Sequence, residues 1–179
     1  MFRKLLTLDE ATRVIRQHFE PKPLGVDEIP LLQAYNRVLA EDITATLDIP
    51  PFNRSTVDGY AVRAKDTFHA DEDKPIELKL RGTTNVGEPP KITVKPGSTV
   101  EIMTGAPIPE GSDAVVMAEH AERKGSEVYI YRAVAKDENV MKAGADIRKG
   151  STVLKKLQLL GSREIGVLSA IGLAQVKVY

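Results

Sequence analysis

The side chains best suited to chemistry lie in three short loops. The first reads Pro50-Pro51-Phe52-Asn53-Arg54-Ser55-Thr56-Val57-Asp58-Gly59-Tyr60. Prolines stiffen its approach, and Phe52 is expected to anchor it against the core. Ser55, Thr56 and Asp58 then follow closely, and Gly59 permits backbone angles that a side chain would resist. A carboxylate fixed there suits binding Mg²⁺ through oxygen, accepting a proton or orienting a water. The competing reading is an Asp that caps its own turn, as Asp-Gly often does.

The second loop reads Met103-Thr104-Gly105-Ala106-Pro107-Ile108-Pro109-Glu110-Gly111. The Thr104 hydroxyl and the Gly105 N–H could meet a phosphate or another oxyanion, and the prolines would preorganise them; alternatively this is a rigid turn without chemistry. The third is Gly144-Ala145-Asp146-Ile147-Arg148-Lys149-Gly150. Asp146 is either a functional carboxylate or half of a surface ion pair with Arg148 or Lys149, worth less than ~1 kcal/mol.

Composition removes several classes of function. The chain has 179 residues, 25 basic against 25 acidic, for a formal net charge of zero. That lacks the basic bias of a general nucleic-acid binder. No apolar run approaches the ~20 residues of a membrane helix. The apolar part of Met1-Phe2-Arg3-Lys4-Leu5-Leu6 is far shorter than a signal peptide's core, so a cytoplasmic location is the expectation. Without cysteine, disulfides, thiolate metal sites and cysteine nucleophiles are excluded. His18, His69 and His120 are isolated and lack zinc-site spacing. No P-loop, dinucleotide fingerprint or Ser-His-Asp arrangement is present.

The elements that must hold these loops are legible from periodicity. Thr7 and Glu10 form a T-x-x-E capping box, and Leu8, Ala11, Val14, Ile15 and Phe19 recur at helical spacing. This predicts a helix with one buried stripe, ended by Pro21 and Pro23. A second short helix is predicted over 30–39. Strands are predicted over 60–63, 76–81, 91–94, 99–103, 114–118 and 128–131, short and separated by turn residues. Such strands suggest a small barrel or two-layer β domain. Ser162 is positioned to cap a last helix that buries Ile165 and Leu168 and stops at Gly172, before a strand over 174–178.

The fold class is therefore α+β and β-rich: a discontinuous α/β domain (1–44 and 145–179) with a β-barrel-like domain inserted over 45–144. The chain stops on an apolar strand, Val176-Lys177-Val178-Tyr179, which reads as a boundary before further domains.

Taken together, these loops closely resemble the N-terminal region, domains I and II, of the MoeA family of molybdopterin molybdenumtransferases. The resemblance is carried by Pro51-Phe52…Ser55…Asp58-Gly59-Tyr60-Ala61-Val62 and by Thr104-Gly105-Ala106-Pro107-Ile108-Pro109-Glu110-Gly111-Ser112-Asp113-Ala114-Val115-Val116. Gly144-Ala145-Asp146-Ile147…Gly150 and Ile165-Gly166-Val167-Leu168…Ile171-Gly172 extend it from about Leu8 to Tyr179. The resemblance implies molybdenum cofactor synthesis: insertion of molybdate (or tungstate) into adenylated molybdopterin with release of AMP, using Mg²⁺. It also implies a homodimer of longer subunits, with other cofactor-synthesis proteins as further partners. By the same resemblance Asp58 acts on metal or water, Thr104 is an oxyanion contact and Asp146 is a supporting carboxylate, with Ser55, Gly59 and Gly105 lining the cofactor.

Departures from the family pattern are Asn53 where Asp is usual, Thr56-Val57 where Ala-Met is frequent, and Ala145 where the third motif carries Glu. The third, pterin-binding domain of the family is absent from this chain, so it is expected to be inactive alone. The alternative function is a non-catalytic dimerisation or protein-interaction scaffold of the same architecture; a free-standing oxyanion-binding module is a third reading. The presence of Asp58, Thr104 and Asp146 together favours the enzyme.

Overall fold

The structure is a computed structural model that describes residues 5–179; residues 1–4, part of the charged N-terminal segment noted above, lie outside the described residues. In chain order the elements are α1 (Leu8–His18), β1 (Asp27–Pro30), β2 (Ile43–Thr44), β3 (Arg54–Ser55), β4 (Gly59–Val62), β5 (Ile76–Thr84), β6 (Ser98–Ile102), β7 (Ala114–Met117), β8 (Ala121–Lys124), β9 (Glu127–Ile130), β10 (Val140–Met141), β11 (Thr152–Leu154), α2 (Ser162–Ala170) and β12 (Gln175–Val178). Contacts divide the chain into two units. One comprises Met1–Ile43 and Leu154–Tyr179, described from residue 5 onward, and the other Thr44–Val153. Sequence alone suggests a return at residue 145. Contacts instead group 145–153 with the second unit, because Ile147 bridges to Ile49 and the Ala45 backbone exchanges hydrogen bonds with Gly150 and Ser151.

In the first unit, β1 and β12 pair antiparallel, with Asp27 opposite Val178 and Pro30 opposite Gln175. Leu31, Leu39, Leu160, Leu168, Ile171, Val176 and Val178 are buried. The predicted second helix is a single 3₁₀ turn, Leu31–Gln33. Asn36 adopts φ of +61°, which ends any helix there, and the Leu39 N–H donates to the Gln158 carbonyl instead of to the preceding turn. Helix α1 forms with the predicted capping box, Thr7 and Glu10 each bonding the other's backbone N–H. Its apolar stripe is not buried, however: Leu8 is 82%, Ile15 61% and Phe19 65% exposed. The cap of α2 is Gly161, not Ser162; the Glu164 carboxylate accepts the Gly161 N–H at 3.1 Å. Gly172, at φ of +83°, follows the helix end as expected.

The second unit is built on a six-stranded sheet in the order β7-β4-β6-β5-β9-β8. The two edges, β7 and β8, do not pair with each other. Alternation along β4 feeds both faces: Tyr60 and Val62 pack with Leu78, Val116 and Val128 on one side, and Ala61 packs with Ile102, Ala106 and Val115 on the other. Burial on both faces explains why 114–117 reads as a continuous apolar run. Strand β8, AERK, carries too little apolar pattern to be predicted. The predicted strand over 91–94 does not form. Prolines flank it, and only Val94 is held, by an N–H donated to the Glu110 carbonyl.

Candidate functional site

The register of the sheet brings the first two loops together. Strand β4 runs antiparallel to β6 with Gly59 opposite Ile102, so Asp58, just before β4, lies beside Met103 and Thr104, just after β6. Gly59 also pairs with Met117 of β7 on its other side. A Cβ at Gly59 would stand 1.9 Å from the Val116 carbonyl oxygen, so close strand approach requires glycine there.

Asp58 and Thr104 form a closed pair. The Asp58 Oδ1 accepts the Thr104 backbone N–H at 2.6 Å and the Thr104 hydroxyl at 2.8 Å. The backbone bond first, and the hydroxyl bond second, hold the Asp58 carboxyl below its ordinary value, against a smaller desolvation effect. Oδ2 has no hydrogen-bond partner among the described residues, and the side chain is exposed. The result is an ionised carboxylate fixed at one oxygen and open at the other. Thr104 gives both of its donors to this carboxylate, so its hydroxyl is left only as an acceptor toward a ligand and is not free to donate to an oxyanion as the sequence suggests.

Ser55 and Gly105 sit behind this pair. The buried Ser55 hydroxyl donates to the Val57 carbonyl at 2.5 Å and accepts the Val57 N–H at 3.2 Å, the pattern of an ST-turn. The Gly105 N–H donates to the Ser55 carbonyl, and the Ser55 N–H to the Ala106 carbonyl. Gly105 adopts φ of +85°, a conformation that glycine takes without strain. Both residues thus fix the loops to one another.

Asp146 is exposed, and its side chain makes no hydrogen bond or ion pair to Asp58 or Thr104 among the described residues. Its loop is fastened to the first loop by main-chain bonds: Asp146 N–H to the Ile49 carbonyl at 2.9 Å and Gly144 N–H to the Pro50 carbonyl at 2.9 Å. Two residues not singled out as sites in the sequence complete the fastening. Asp48 accepts the Lys149 N–H at 2.7 Å and lies where a Cβ on Gly144 would clash, at 2.8 Å. Asn53 accepts the Ala143 N–H at 2.9 Å. Asp48 stands beside no motif that would mark it, whereas Asn53 is visible as a departure from the family pattern.

Phe52 does not anchor its loop in the core. It is 44% exposed and lines an apolar groove of about 460 Å³ with Gly87, Glu88, Pro89, Pro90 and Pro107. No group of three or more acidic, histidine or cysteine side chains that would hold a metal occurs among the described residues. No helix among the described residues is long and apolar enough to cross a membrane.

Comparison with known families matches residues 6–172 to the MoeA N-terminal region, domains I and II. The chain belongs to the MoeA family. It is 30% identical to the molybdopterin molybdenumtransferase of Synechococcus elongatus over 98% of this chain and 44% of that protein. The Staphylococcus epidermidis protein of the same name is 36% identical over 93% of this chain and 39% of its own length. The crystal structure of the molybdopterin biosynthesis moeA protein from Pyrococcus horikoshii superposes with a TM-score of 0.91 at 39% identity, over 98% of this chain and 46% of that one. The chain thus spans less than half the length of these MoeA relatives, and it corresponds to their β-rich N-terminal region.

Proposed function

We propose that this chain supplies one wall of the active site of a molybdopterin molybdenumtransferase, an enzyme that inserts molybdate, or tungstate, into adenylated molybdopterin and releases AMP. The observation that carries this reading is the Asp58–Thr104 pair, an exposed carboxylate ionised by two bonds from Thr104 and left with one free oxygen. In its support, the MoeA relatives are named molybdopterin molybdenumtransferases, and two of the loops that match the family pattern are those that the β4–β6 register brings together.

Asp58 is the carboxylate that meets a cation or orients a water through Oδ2, and Thr104 holds it in that geometry. Ser55, Gly59 and Gly105 keep the two loops at a fixed separation. Asp146 is a supporting carboxylate on the adjoining loop. Mg²⁺ bound at Asp58 would supply positive charge against substrate phosphate oxygens.

The remaining site residues belong to further domains of the full-length protein, and the working form is a cytoplasmic homodimer, with other cofactor-synthesis proteins as further partners. The exposed stripe of α1, Leu8, Ile15 and Phe19, suits such assembly. The test is transfer of molybdate to molybdopterin by the full-length protein, read as reconstitution of an apo-molybdoenzyme. Insertion by the full-length protein and none by the 179-residue chain is expected; no insertion by the full-length protein would overturn the reading.

A further inference from the structure

Loop one is the spine of the site, and one residue in it touches both of its neighbours. The Asn53 main-chain carbonyl accepts the Ile108 N–H at 2.9 Å, tying loop one to the Thr104 loop. Its side-chain Oδ1 accepts the Ala143 N–H at 2.9 Å, immediately ahead of the loop that bears Asp146. The adjacent Arg54 repeats the division: it bridges to Pro107, and its guanidinium donates to the Met141 sulfur at 3.2 and 3.4 Å. Strand β10, Val140–Met141, is two residues long and pairs with the equally short β3, while the loop beyond it is fastened from Gly144 onward by the main-chain bonds to Pro50 and Ile49. The bond from Ala143 to Asn53 lies between that ladder and the loop.

We infer that Asn53 is a positioning residue, whose side-chain oxygen sets the Asp146 loop against the Asp58–Thr104 pair; its effect on turnover rests on the function proposed above. The side-chain atom in use is an acceptor oxygen, which asparagine and aspartate share. The position therefore admits either residue without loss of the contact.

The test compares Asn53→Ala and Asn53→Asp in the full-length protein, by amide hydrogen exchange and by molybdate insertion. In Asn53→Ala the Ala143 amide loses its acceptor and is expected to exchange about tenfold faster, while the Ile108 amide, bonded to the main chain of residue 53, keeps its protection. Insertion falls by about tenfold, in kcat more than in KM. Asn53→Asp retains both the Ala143 protection and the insertion rate.

Unchanged exchange at Ala143 in Asn53→Ala would overturn the inference, as would lost protection with undiminished insertion. Should the alanine variant unfold, Asn53→Asp still decides: if it loses Ala143 protection or activity, the shared oxygen is not what positions the start of the loop. A wild-type protein with no insertion activity would remove the functional reading alone. The exchange pattern would still show whether Asn53 holds the loop.

Discussion

At the scale of single residues, the site rests on how Thr104 presents Asp58. The carboxyl's pKa is depressed in the folded protein, so the stabilisation from this pair is present above the unfolded value near ~3.9 and is lost as pH falls through the lower, folded value. The carboxylate is thus fully ionised at neutral pH. Replacing Thr104 by Val removes the hydroxyl donor and keeps the backbone one. The Asp58 pKa should rise part of the way toward ~3.9 in a carbon-detected carboxyl titration, and insertion should fall by about tenfold. An unmoved pKa would mean that the hydroxyl does not hold the carboxylate. The residue types at this site are legible in the sequence, Asp58 and Thr104 among them. Their contact is not, because it depends on strand register between residues 46 positions apart. Asp48 escapes sequence reading for the same reason: its role is to accept a main-chain N–H from residue 149.

At the scale of elements, β4 is the part that makes the register hold. It is flanked by β6 and β7, and Gly59 sits where both neighbours approach. Gly59→Ala should destabilise the protein by about 3–5 kcal/mol, since the new Cβ meets a backbone oxygen that cannot rotate away. Gly87→Ala is the control: its φ of +83° is unfavourable for alanine but its Cβ meets nothing within 4 Å, so a loss of about 1–2 kcal/mol is expected. Urea midpoints measure both, and equal losses would contradict the steric account.

The central strands are readable because each is a short apolar run bounded by turn residues. The 30–39 segment has apolar spacing that fits a helix, while Asn36 at positive φ and the long-range bonds of Leu39 decide otherwise. Helix α1 is marked by its capping box, but burial of its stripe depends on partners that local sequence does not reveal.

At the scale of the whole molecule, the chain corresponds to less than half of its MoeA relatives and presents an exposed carboxylate with an open oxygen, hydrogen-bonded loops and no metal cluster among the described residues. On the proposed function, the chain contributes Asp58 to molybdenum insertion and is not merely a scaffold. The direct measurement is molybdate insertion by the full-length protein carrying Asp58→Asn, with circular dichroism and sizing to confirm that fold and oligomeric state are kept. Loss of insertion by about a hundredfold or more, with fold and oligomeric state unchanged, is the predicted result. Undiminished insertion would make Asp58 a turn residue and reduce this region to holding the assembly together.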